Sequence, residues 1–404
     1  MSGTGNVVVW RYLVGYHKRM RLTRLLAGLS ASVAFIAACG QQNGTGGSAA
    51  EHYRIRDDGS GVSTTNVYLA TGAGALSPVA AAAKPLVYVP NTLSNTVTVI
   101  DPATHTVVRT FRTGKLPQHV VPSYDMHRLW VTNDQDDSLT AVDPTTGADG
   151  DRVRVSDPYN LYFTPDGKLA MVIAEAQHRF DLRDPLTMKL VQSVHVDCAG
   201  LDHVDFTADD KYAIATCEFS GELVKFDLAA RKPVGYLRLQ RGAMPQDIRL
   251  SPDGRVMYVA DMMADGAHVI DPVAFKELRF IKMGKGTHGI VVGRGGQPFY
   301  FSNRGWNTLT GGRHGPGSIT VLDPITQKIL ATWPIPGGGS PDMGGLSADG
   351  KELWVSGRYD NEVYAIDTAH GSLIARISVG VEPHGLCVWP QPGRFSLGHT
   401  GNMR

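Results

Sequence analysis

Residues 86–121 read LVYVPNTLSNTVTVIDPATHTVVRTFRTGKLPQHVV, and residues 352–388 read ELWVSGRYDNEVYAIDTAHGSLIARISVGVEPHGLCV. In both stretches, short runs of β-branched and aromatic residues alternate with turn residues, a pattern that is typical of short antiparallel strands. Asp-Gly turns punctuate the chain because glycine accepts the positive φ of a tight hairpin. They occur in TPDG at 164–167, SPDG at 251–254 and SADG at 347–350. The sequence therefore predicts repeated units of three or four strands.

The start of the strand that precedes each hairpin can be aligned along the chain. The aligned positions are 41 to 43 residues apart, except for one gap of 54 residues. Repeats of this length with four short strands are typical of propeller blades. We predict an all-β fold, a seven-bladed β-propeller over residues 85–390, closed by pairing of the last inner strand with the first three strands. The aligned positions are His119, Asn160, His203, Gln246, His288, Asp342 and His384.

Three tetrapeptides recur at the end of a predicted strand: YVPN at 88–91, WVTN at 130–133 and YFSN at 300–303. They resemble the signature of the YVTN-family β-propellers, which are exported bacterial and archaeal proteins that include surface-layer proteins. The resemblance covers residues 85–389 and implies the propeller fold and export. It implies little about activity, because members of this family do unrelated things.

The segment 20–39 reads MRLTRLLAGLSASVAFIAAC, with two arginines before an apolar run that is too short to span a bilayer comfortably. Its end resembles the lipobox of bacterial lipoproteins, in which cleavage leaves a lipidated cysteine. We predict a signal peptide over residues 1–38, with Met20 as the true start, and lipidation of Cys39. An ordinary secretory signal cut after Ala38 is the alternative.

The segments outside the repeats have polar, glycine-containing sequences. We expect residues 39–84 to hold the lipidated cysteine and a flexible tether, and residues 391–404 to form an exposed or loosely docked polar tail. The predicted product is an exported protein whose lipid anchors it to a membrane. We predict that it is anchored at the outer side of the bacterial cytoplasmic membrane. The alternative location is the periplasm or the outer membrane.

Export places the cysteines in an oxidising compartment, where Cys198 and Cys217 can form a disulfide. Ligation of a metal by these thiolates beside His203 is the alternative. Cys387 lies three residues after His384 and on a strand points to the opposite side, so we interpret it as a buried, inert thiol.

All seven aligned positions are polar, and histidine alternates with asparagine, glutamine and aspartate. In a propeller these positions lie where crossing loops meet the inner strands, so we expect them around the channel mouth. Four converging imidazoles suit Cu or Zn, and Asp342 can add a ligand or orient a histidine. The alternative is a polar lining of a wet channel that is too wide for four-way ligation. The candidate metal ligands are His119, His203, His288 and His384.

The 54-residue gap contains a long insertion, residues 304–317, on the same predicted face. Loops often carry function, and Arg304, Trp306 and Arg313 can clamp a carboxylate or stack on a ring of a ligand. The alternative is a length variation in which Trp306 packs on its own loop. Met262 and Met263 can assist Cu(I), although methionines more often simply pack.

The 39 basic and 38 acidic residues balance, which argues against a nucleic-acid partner. The sequence lacks GxSxG, P-loop and HExxH motifs. We therefore favour a binding or scaffold module for a small ligand, a metal or a partner protein. A copper-type redox enzyme using the histidine ring is the alternative. Lactone hydrolysis is a third hypothesis, but propellers that catalyse it with Ca or Zn at the channel usually need more carboxylates than Asp342 supplies.

Overall fold

The computed structural model describes residues 66–404, and the predicted signal peptide, Cys39 and most of the predicted tether lie outside them. Within the described residues, 28 strands form seven four-stranded antiparallel sheets. These sheets are the blades of a β-propeller, so the predicted fold and blade number are confirmed. No helix in residues 66–404 is long and apolar enough to cross a membrane.

The blades follow the chain in order from the second to the seventh. Blade 2 contains β4 (Pro117–Pro122), β5 (Leu129–Asn133), β6 (Ser138–Val142) and β7 (Asp149–Arg154). Blade 3 contains β8 (Pro158–Phe163), β9 (Ala170–Ala174), β10 (Arg179–Arg183) and β11 (Leu190–His195). Blade 4 contains β12 (Leu201–Phe206), β13 (Tyr212–Cys217), β14 (Glu222–Asp227) and β15 (Lys232–Arg238).

The remaining complete blades have the same strand order. Blade 5 contains β16 (Pro245–Leu250), β17 (Met257–Asp261), β18 (Gly266–Asp271) and β19 (Lys276–Lys282). Blade 6 contains β20 (Thr287–Val292), β21 (Phe299–Asn303), β22 (Ser318–Asp323) and β23 (Lys328–Pro334). Blade 7 contains β24 (Pro341–Leu346), β25 (Glu352–Gly357), β26 (Glu362–Asp367) and β27 (Leu373–Ser378).

Blade 1 closes the ring from both ends of the repeat region. It combines β1 (Leu86–Asn91), β2 (Thr96–Asp101) and β3 (Thr106–Arg112) with β28 (Cys387–Trp389). The last inner strand β28 pairs antiparallel with β1, with Tyr88 opposite Cys387. The predicted closure is confirmed, and it removes the open sheet edge that an unclosed ring would expose.

The strands differ in burial according to their place in the blade. Inner and second strands are almost entirely buried, as in β1 and β4, whereas the outer strand β15 alternates between half-buried and exposed residues. The apolar core lies between adjacent blades, where for example Phe180 of blade 3 packs edge to face on Phe226 of blade 4 at a centroid distance of 5.0 Å. The inward position of the inner strands places their side chains around the central channel.

The asparagine of the tetrapeptides joins two blades. Asn133 donates from Nδ2 to the hydroxyls of Ser138 and Thr140, and its Oδ1 accepts hydrogen bonds from Thr113 Oγ1 and the backbone N–H of Gly114. A buried amide with all its polar groups paired is stabilising, and the loss of either partner would leave a desolvated polar atom. Equivalent bonds are made at the other two tetrapeptides by Asn91 and Asn303.

The described part of the predicted tether is packed rather than flexible. Residues 69–71 form a 3₁₀ turn, Pro78–Ala81 form a short helix, α1, and Tyr68 is buried with its hydroxyl donating to Leu250 O at 2.8 Å. Two other 3₁₀ turns lie in the blades, at Asp134–Asp136 and Arg294–Gly296. The expectation of a tether up to residue 84 is therefore corrected for residues 66–84.

The C-terminal segment, residues 391–404, is buried, which corrects the expectation of an exposed or loosely docked tail. Its backbone bonds to blade 3, where Phe163 donates to Leu397 O and His399 donates to Leu161 O. Arg404 pairs with the buried Asp205 of blade 4 at 2.9 Å. These contacts are made at the ends of the inner strands, so the segment crosses the Asp-Gly-turn face of the channel. The polar residues of this segment can be buried because they form hydrogen bonds or ion pairs with buried groups of the blades, as Arg404 does with Asp205.

Candidate functional site

The seven aligned side chains lie inside the channel rather than around an open mouth. Each is at most 2% exposed, because the C-terminal segment covers one side of the ring and residues such as Arg304 cover the other. A cavity of about 40 Å³ remains beside Arg249, Gln391 and Thr400 at the Asp-Gly-turn face, which has room for water but not for an organic ligand. The expected position at the channel mouth is therefore corrected to a buried one, and the alternative of a wide, wet channel does not apply at this ring.

Two of the predicted ligands meet a histidine that sequence reasoning missed. His119 and His203 form a cluster with His399 of the C-terminal segment, and each imidazole offers one nitrogen within 4.8 Å of the other two. The ring centroids are 4.8 to 5.5 Å apart. His399 lies outside the repeats, so the alignment that found the other two carried no signal for it.

One ring nitrogen of His119 is hydrogen-bonded, and the other is free. Its Nδ1 lies 3.0 Å from the carbonyl oxygen of Tyr159, which can only accept, so Nδ1 carries the proton. Its Nε2 makes no hydrogen bond among the described residues. A histidine whose one nitrogen donates to a carbonyl while the other keeps a free lone pair is the usual state of a metal ligand.

Asn160 orients the other two imidazoles. Its Nδ2 lies 3.1 Å from Nδ1 of His203 and 3.1 Å from Nδ1 of His399, while its Oδ1 accepts from the backbone N–H of Leu161. The amide therefore presents its donors to both rings. Asn160 was predicted only as a channel residue, and the structure gives it the role of positioning the cluster.

Burial keeps the three imidazoles neutral. It lowers the pKa of His119 to about 4 and holds the pKa values of His203 and His399 well below the usual range for histidine. Neutral imidazole is the form that binds a metal. Beside the cluster, neither carboxylate oxygen of Asp202 makes a hydrogen bond of normal geometry, although Oδ1 lies 3.3 Å from Nε2 of His203.

The other two predicted histidine ligands belong to a separate ion-pair network. Asp342 accepts from Arg304 Nε at 2.7 Å and contacts Nδ1 of His288 at 2.9 Å, and its second oxygen lies 2.7 Å from Nδ1 of His384. Arg304 also donates to Nε2 of His288 at 2.7 Å. Nε2 of His288 is therefore occupied, and its Nδ1 faces the carboxylate of Asp342 without a hydrogen bond of normal geometry. The structure thus places His288 in this network and not in the three-histidine cluster. Asp342 orients histidines rather than joining the three-histidine cluster.

His384 stands between the two groups. Its ring centroid is 4.9 Å from that of His119, and its Nε2 lies 3.5 Å from the hydroxyl of Tyr159. It is held by Asp342 and lies next to the cluster, but it does not belong to the set of nitrogens that lie within 4.8 Å of one another. The predicted four-histidine ring is therefore split between a cluster and an ion-pair network.

The insertion 304–317 does not present a clamp. Arg304 points into the channel, and Trp306 packs on its own loop, with Nε1 donating to Gly312 O at 3.2 Å. Arg313 is exposed and donates to the backbone carbonyl of Asp360 at 2.8 Å. Met262 is buried with its sulfur 3.4 Å from Arg304, so it packs against the ion-pair network. The prediction of a carboxylate clamp is corrected accordingly.

A second ring of side chains is formed by the residue that directly follows the second strand of each blade. These residues are on the crossing-loop face, above the starts of the inner strands. Three consecutive blades carry acids, whereas blades 6 and 7 carry arginines. Gln246 joins the acidic side by donating to Glu218 at 2.9 Å. The ring consists of Thr92, Asp134, Glu175, Glu218, Met262, Arg304 and Arg358. These seven positions are also equivalent in the repeats, but they can be identified from the sequence only if the ends of the second strands are known.

The two candidate disulfide cysteines are bonded. Cys198 and Cys217 have a Cα–Cα distance of 5.9 Å and join the crossing loop before β12 to the end of β13. Their sulfurs are therefore not available to a metal beside His203. Cys387 is the free cysteine of residues 66–404, and burial raises the pKa of its thiol, as expected for an inert group.

The sequence model of the YNCE-like beta-propeller family matches residues 63–392. The chain belongs to this family. The resemblance to YVTN-type propellers is confirmed by this match and by the seven blades. Since the match ends at residue 392, His399 lies beyond it. No curated protein sequence matches the chain.

Several solved structures share the fold at low identity. A hydrazine synthase chain from Kuenenia stuttgartiensis is 18% identical with a TM-score of 0.55, and the match covers 66% of this chain and 87% of that one. The dihydro-heme d1 dehydrogenase NirN is 16% identical with a TM-score of 0.57, covering 75% and 74%. A putative 6-phosphogluconolactonase from Bacteroides uniformis is 17% identical with a TM-score of 0.59, covering 75% and 98%. At these identities the likeness shows the fold alone.

Proposed function

We propose that this propeller is a metal-binding protein that holds one Cu or Zn ion inside its channel at His119, His203 and His399. The observation that carries the proposal is the convergence of three neutral, buried imidazole nitrogens within 4.8 Å of one another. Imidazole suits both metals. The separation exceeds that of nitrogens around one bound ion, so binding requires the three rings to close by a small movement.

Unpaired buried atoms support the proposal. Nε2 of His119 and Nε2 of His203 are buried and lack hydrogen bonds of normal geometry among the described residues. A buried polar atom without a partner costs about 1–3 kcal/mol, and such atoms often mark a place for an ion or water. Because Asn160 donates to Nδ1 of His203 and His399 in this structure, binding of a metal through Nε2 requires the amide to reverse, so that its Oδ1 accepts from the Nδ1–H of these rings.

The burial of the cluster favours a resident ion over a turnover site. The three imidazoles are at most 1% exposed, and structural metal sites are closed whereas catalytic sites keep an open position. The propeller therefore acts as a binding module, which is the function favoured from the sequence. The copper-type redox enzyme is the alternative, and it requires metal-dependent turnover of a substrate.

The test uses the full chain purified without a histidine tag, loaded separately with Zn²⁺ and Cu²⁺, desalted and analysed for metal content by mass spectrometry. We expect one ion per chain, lost in His119→Ala, His203→Ala and His399→Ala. The matched control is His268→Gln, which removes a buried histidine of blade 5 that pairs with Asp261 and Glu277.

The fold of each variant is checked by circular dichroism, and Cu²⁺ spectra of the wild type report imidazole ligation independently of any variant. No metal in the wild type, or equal metal in the wild type and the three cluster variants, would contradict the proposal. Loss of the ion in the control alone would do the same. Metal-dependent oxidation of an added substrate would instead favour the redox enzyme.

We also propose that the protein is exported and carries a lipid on Cys39. The disulfide between Cys198 and Cys217 supports this location, because such bonds persist in oxidising compartments. Fractionation of cells should find the wild type in membranes and Cys39→Ala in the soluble extracytoplasmic fraction. Equal distribution of the two would refute lipid anchoring.

A further inference from the structure

The segment 66–84 crosses the Asp-Gly-turn face of the propeller. Four of its N–H donors, three in the backbone and one in the side chain of Asn66, bond to carbonyl oxygens in turns that lie on this face. The turns belong to blades 2, 5, 6 and 7, and the accepting residues are Pro144, Pro252, Gly295 and Ala348. The segment therefore forms part of the surface that the protein presents on this side.

A run of 17 residues in this segment, residues 67–83, carries no charged side chain. Charged residues make up 19% of the whole chain, so about three would be expected in a run of this length. The exposed positions of this uncharged strip are apolar or small: Leu69, Ala73, Gly74, Ala75, Pro78, Ala81 and Ala82. Exposed apolar surface of this kind marks a contact with a membrane or with another protein.

The most exposed large apolar side chains of residues 66–404 share the same face. Leu69, Leu186 and Val273 are 70%, 70% and 73% exposed. Leu186 and Val273 lie in the turns between the third and outer strands of blades 3 and 5, which are on the side of the Asp-Gly turns because successive strands run in opposite directions. On the crossing-loop face, by contrast, Leu309 and Val381 are only 42% and 44% exposed.

The proposed lipid anchor also joins the propeller at this face. Cys39 precedes Asn66 by 27 residues, and Asn66 begins the segment that crosses the Asp-Gly turns. A chain of that length reaches at most about 100 Å, so it does not by itself fix which face meets the bilayer. It does keep the propeller near the membrane, where linked groups meet at effective concentrations of up to about 1 mM. Contacts that are too weak to bind from solution can form under this condition.

Three lysines of the Asp-Gly-turn face are paired. Lys168, Lys211 and Lys351 each contact the aspartate two residues before them, at distances of 3.1 to 3.5 Å. Lysine stems can lie along apolar surface while the ammonium groups stay in the headgroup region. Because these positive charges already have carboxylate partners, the face does not need an anionic lipid, and a zwitterionic bilayer fits it.

From these observations we propose that the Asp-Gly-turn face, through the uncharged strip and the side chains of Leu69, Leu186 and Val273, is a docking surface for a lipid bilayer. This inference rests on the proposed lipidation of Cys39 and adds the orientation of the protein on its membrane. The three side chains enter the boundary between headgroups and acyl chains, where burial of apolar surface is favourable. The strip has no charge to desolvate. The crossing-loop face then points away from the membrane.

The test uses the full chain, purified from membranes with its lipid and reconstituted into phosphatidylcholine vesicles whose acyl chains carry bromine, a short-range quencher of tryptophan emission. The single variants Leu69→Trp and Val273→Trp place a reporter on the docking surface. The matched control Leu309→Trp replaces an exposed loop leucine on the crossing-loop face. The emission added by each variant is measured relative to the wild type. We expect brominated vesicles to quench it in the first two variants and to leave it unchanged in the control.

A further variant separates apolar docking from mere proximity to the bilayer. In the Leu186→Trp protein, the added substitutions Leu69→Asp and Val273→Asp should restore the quenched emission, because a charged carboxylate resists entry into the bilayer. All three positions are exposed, so circular dichroism should show an unchanged fold. Emission that stays quenched in this variant would show that the apolar side chains do not hold the face on the membrane, and would overturn the proposal.

The remaining outcomes are distinct. Equal quenching in Leu69→Trp and Leu309→Trp, or none in either, would overturn the docking surface and leave the lipid anchor in place. Stronger quenching of Leu309→Trp would put the opposite face on the membrane, with the same consequence. A Cys39 that mass spectrometry finds without lipid would overturn anchoring and docking together. A dimer in detergent solution that Leu69→Asp dissociates would show that a second copy covers this face, and would overturn the bilayer as its partner.

Discussion

The buried pair of Arg304 and Asp342 offers a quantitative test of how the channel is stabilised. The substitution Arg304→Met keeps an unbranched side chain as far as the position of Nε but removes the guanidinium that donates to Asp342 at 2.7 Å and to Nε2 of His288 at 2.7 Å. Asp342 is 0% exposed, so its carboxylate cannot turn to water. The negative charge that remains is held only by imidazoles.

The size of the effect follows from the burial. Removing one partner of a buried ion pair costs about 3–5 kcal/mol, because the other charge is left uncompensated. Part of this cost can be offset by protonation of His288. Burial, followed by the positive charge of Arg304, lowers the pKa of His288 to about 4. Without Arg304 that pKa rises, so the loss of stability should be larger at pH 8 than at pH 5.

The assay is urea unfolding of the wild type, Arg304→Met, Asp342→Asn and the double variant at both pH values. We expect each single variant to lose about 3–5 kcal/mol at pH 8 and the double variant to lose less than the sum, because it leaves no unpaired charge. Strict additivity, or a loss below about 1 kcal/mol in Arg304→Met, would refute the account of a buried, mutually dependent pair.

Two further predictions concern acid stability and the C-terminal segment. Because burial lowers the pKa of His119 to about 4, against about 6.5 when unfolded, its stabilising contribution is complete above pH 6.5 and is lost as the pH falls towards 4. The resulting loss in the free energy of unfolding is about 3 kcal/mol. As the pH is lowered, the urea midpoint of the metal-free protein should therefore fall less steeply in His119→Asn than in the wild type. The same pH dependence in both proteins would contradict this prediction. Arg404→Met removes the guanidinium bond to Asp205, so it should cost about 2 kcal/mol and speed hydrogen exchange in residues 394–404, whereas unchanged exchange would show that Arg404 does not hold the segment.

The fold could be predicted from the sequence because a propeller repeats one local pattern. Each blade needs only short strands, tight turns and a fixed spacing, and these are local properties that appear in every repeat. Closure was predictable for the same reason, since the first repeat lacks an inner strand and the residues before Trp389 supply it. The asparagines of the tetrapeptides repeat with the blades, and each donates to hydroxyls of the next strand in its own blade. The oxygen of Asn91, however, accepts from Gly380, which is 289 residues away in the chain.

The candidate site was only half predictable. The alignment found His119 and His203 because they occupy equivalent positions in the blades. It also selected His288 and His384, since spacing alone cannot distinguish a free nitrogen from one occupied by Arg304 or Asp342. Arg304 was expected in an exposed loop, but it turns inward because a buried carboxylate lies within its reach.

By itself, the sequence determined the architecture: all-β blades, their number and the strand that closes the ring. The tertiary structure alone decided the chemistry of the channel. It brought His399 from a non-repeating segment against two inner strands, covered one face of the channel with residues 391–404, and placed the acids and the arginines of the second ring on different blades. The two differ because the interactions that decide them act over different distances along the chain. Strand and turn preferences are set by neighbouring residues, whereas lone pairs, burial and charge depend on groups that are distant in the chain; Asn160 and His399, for example, are 239 residues apart.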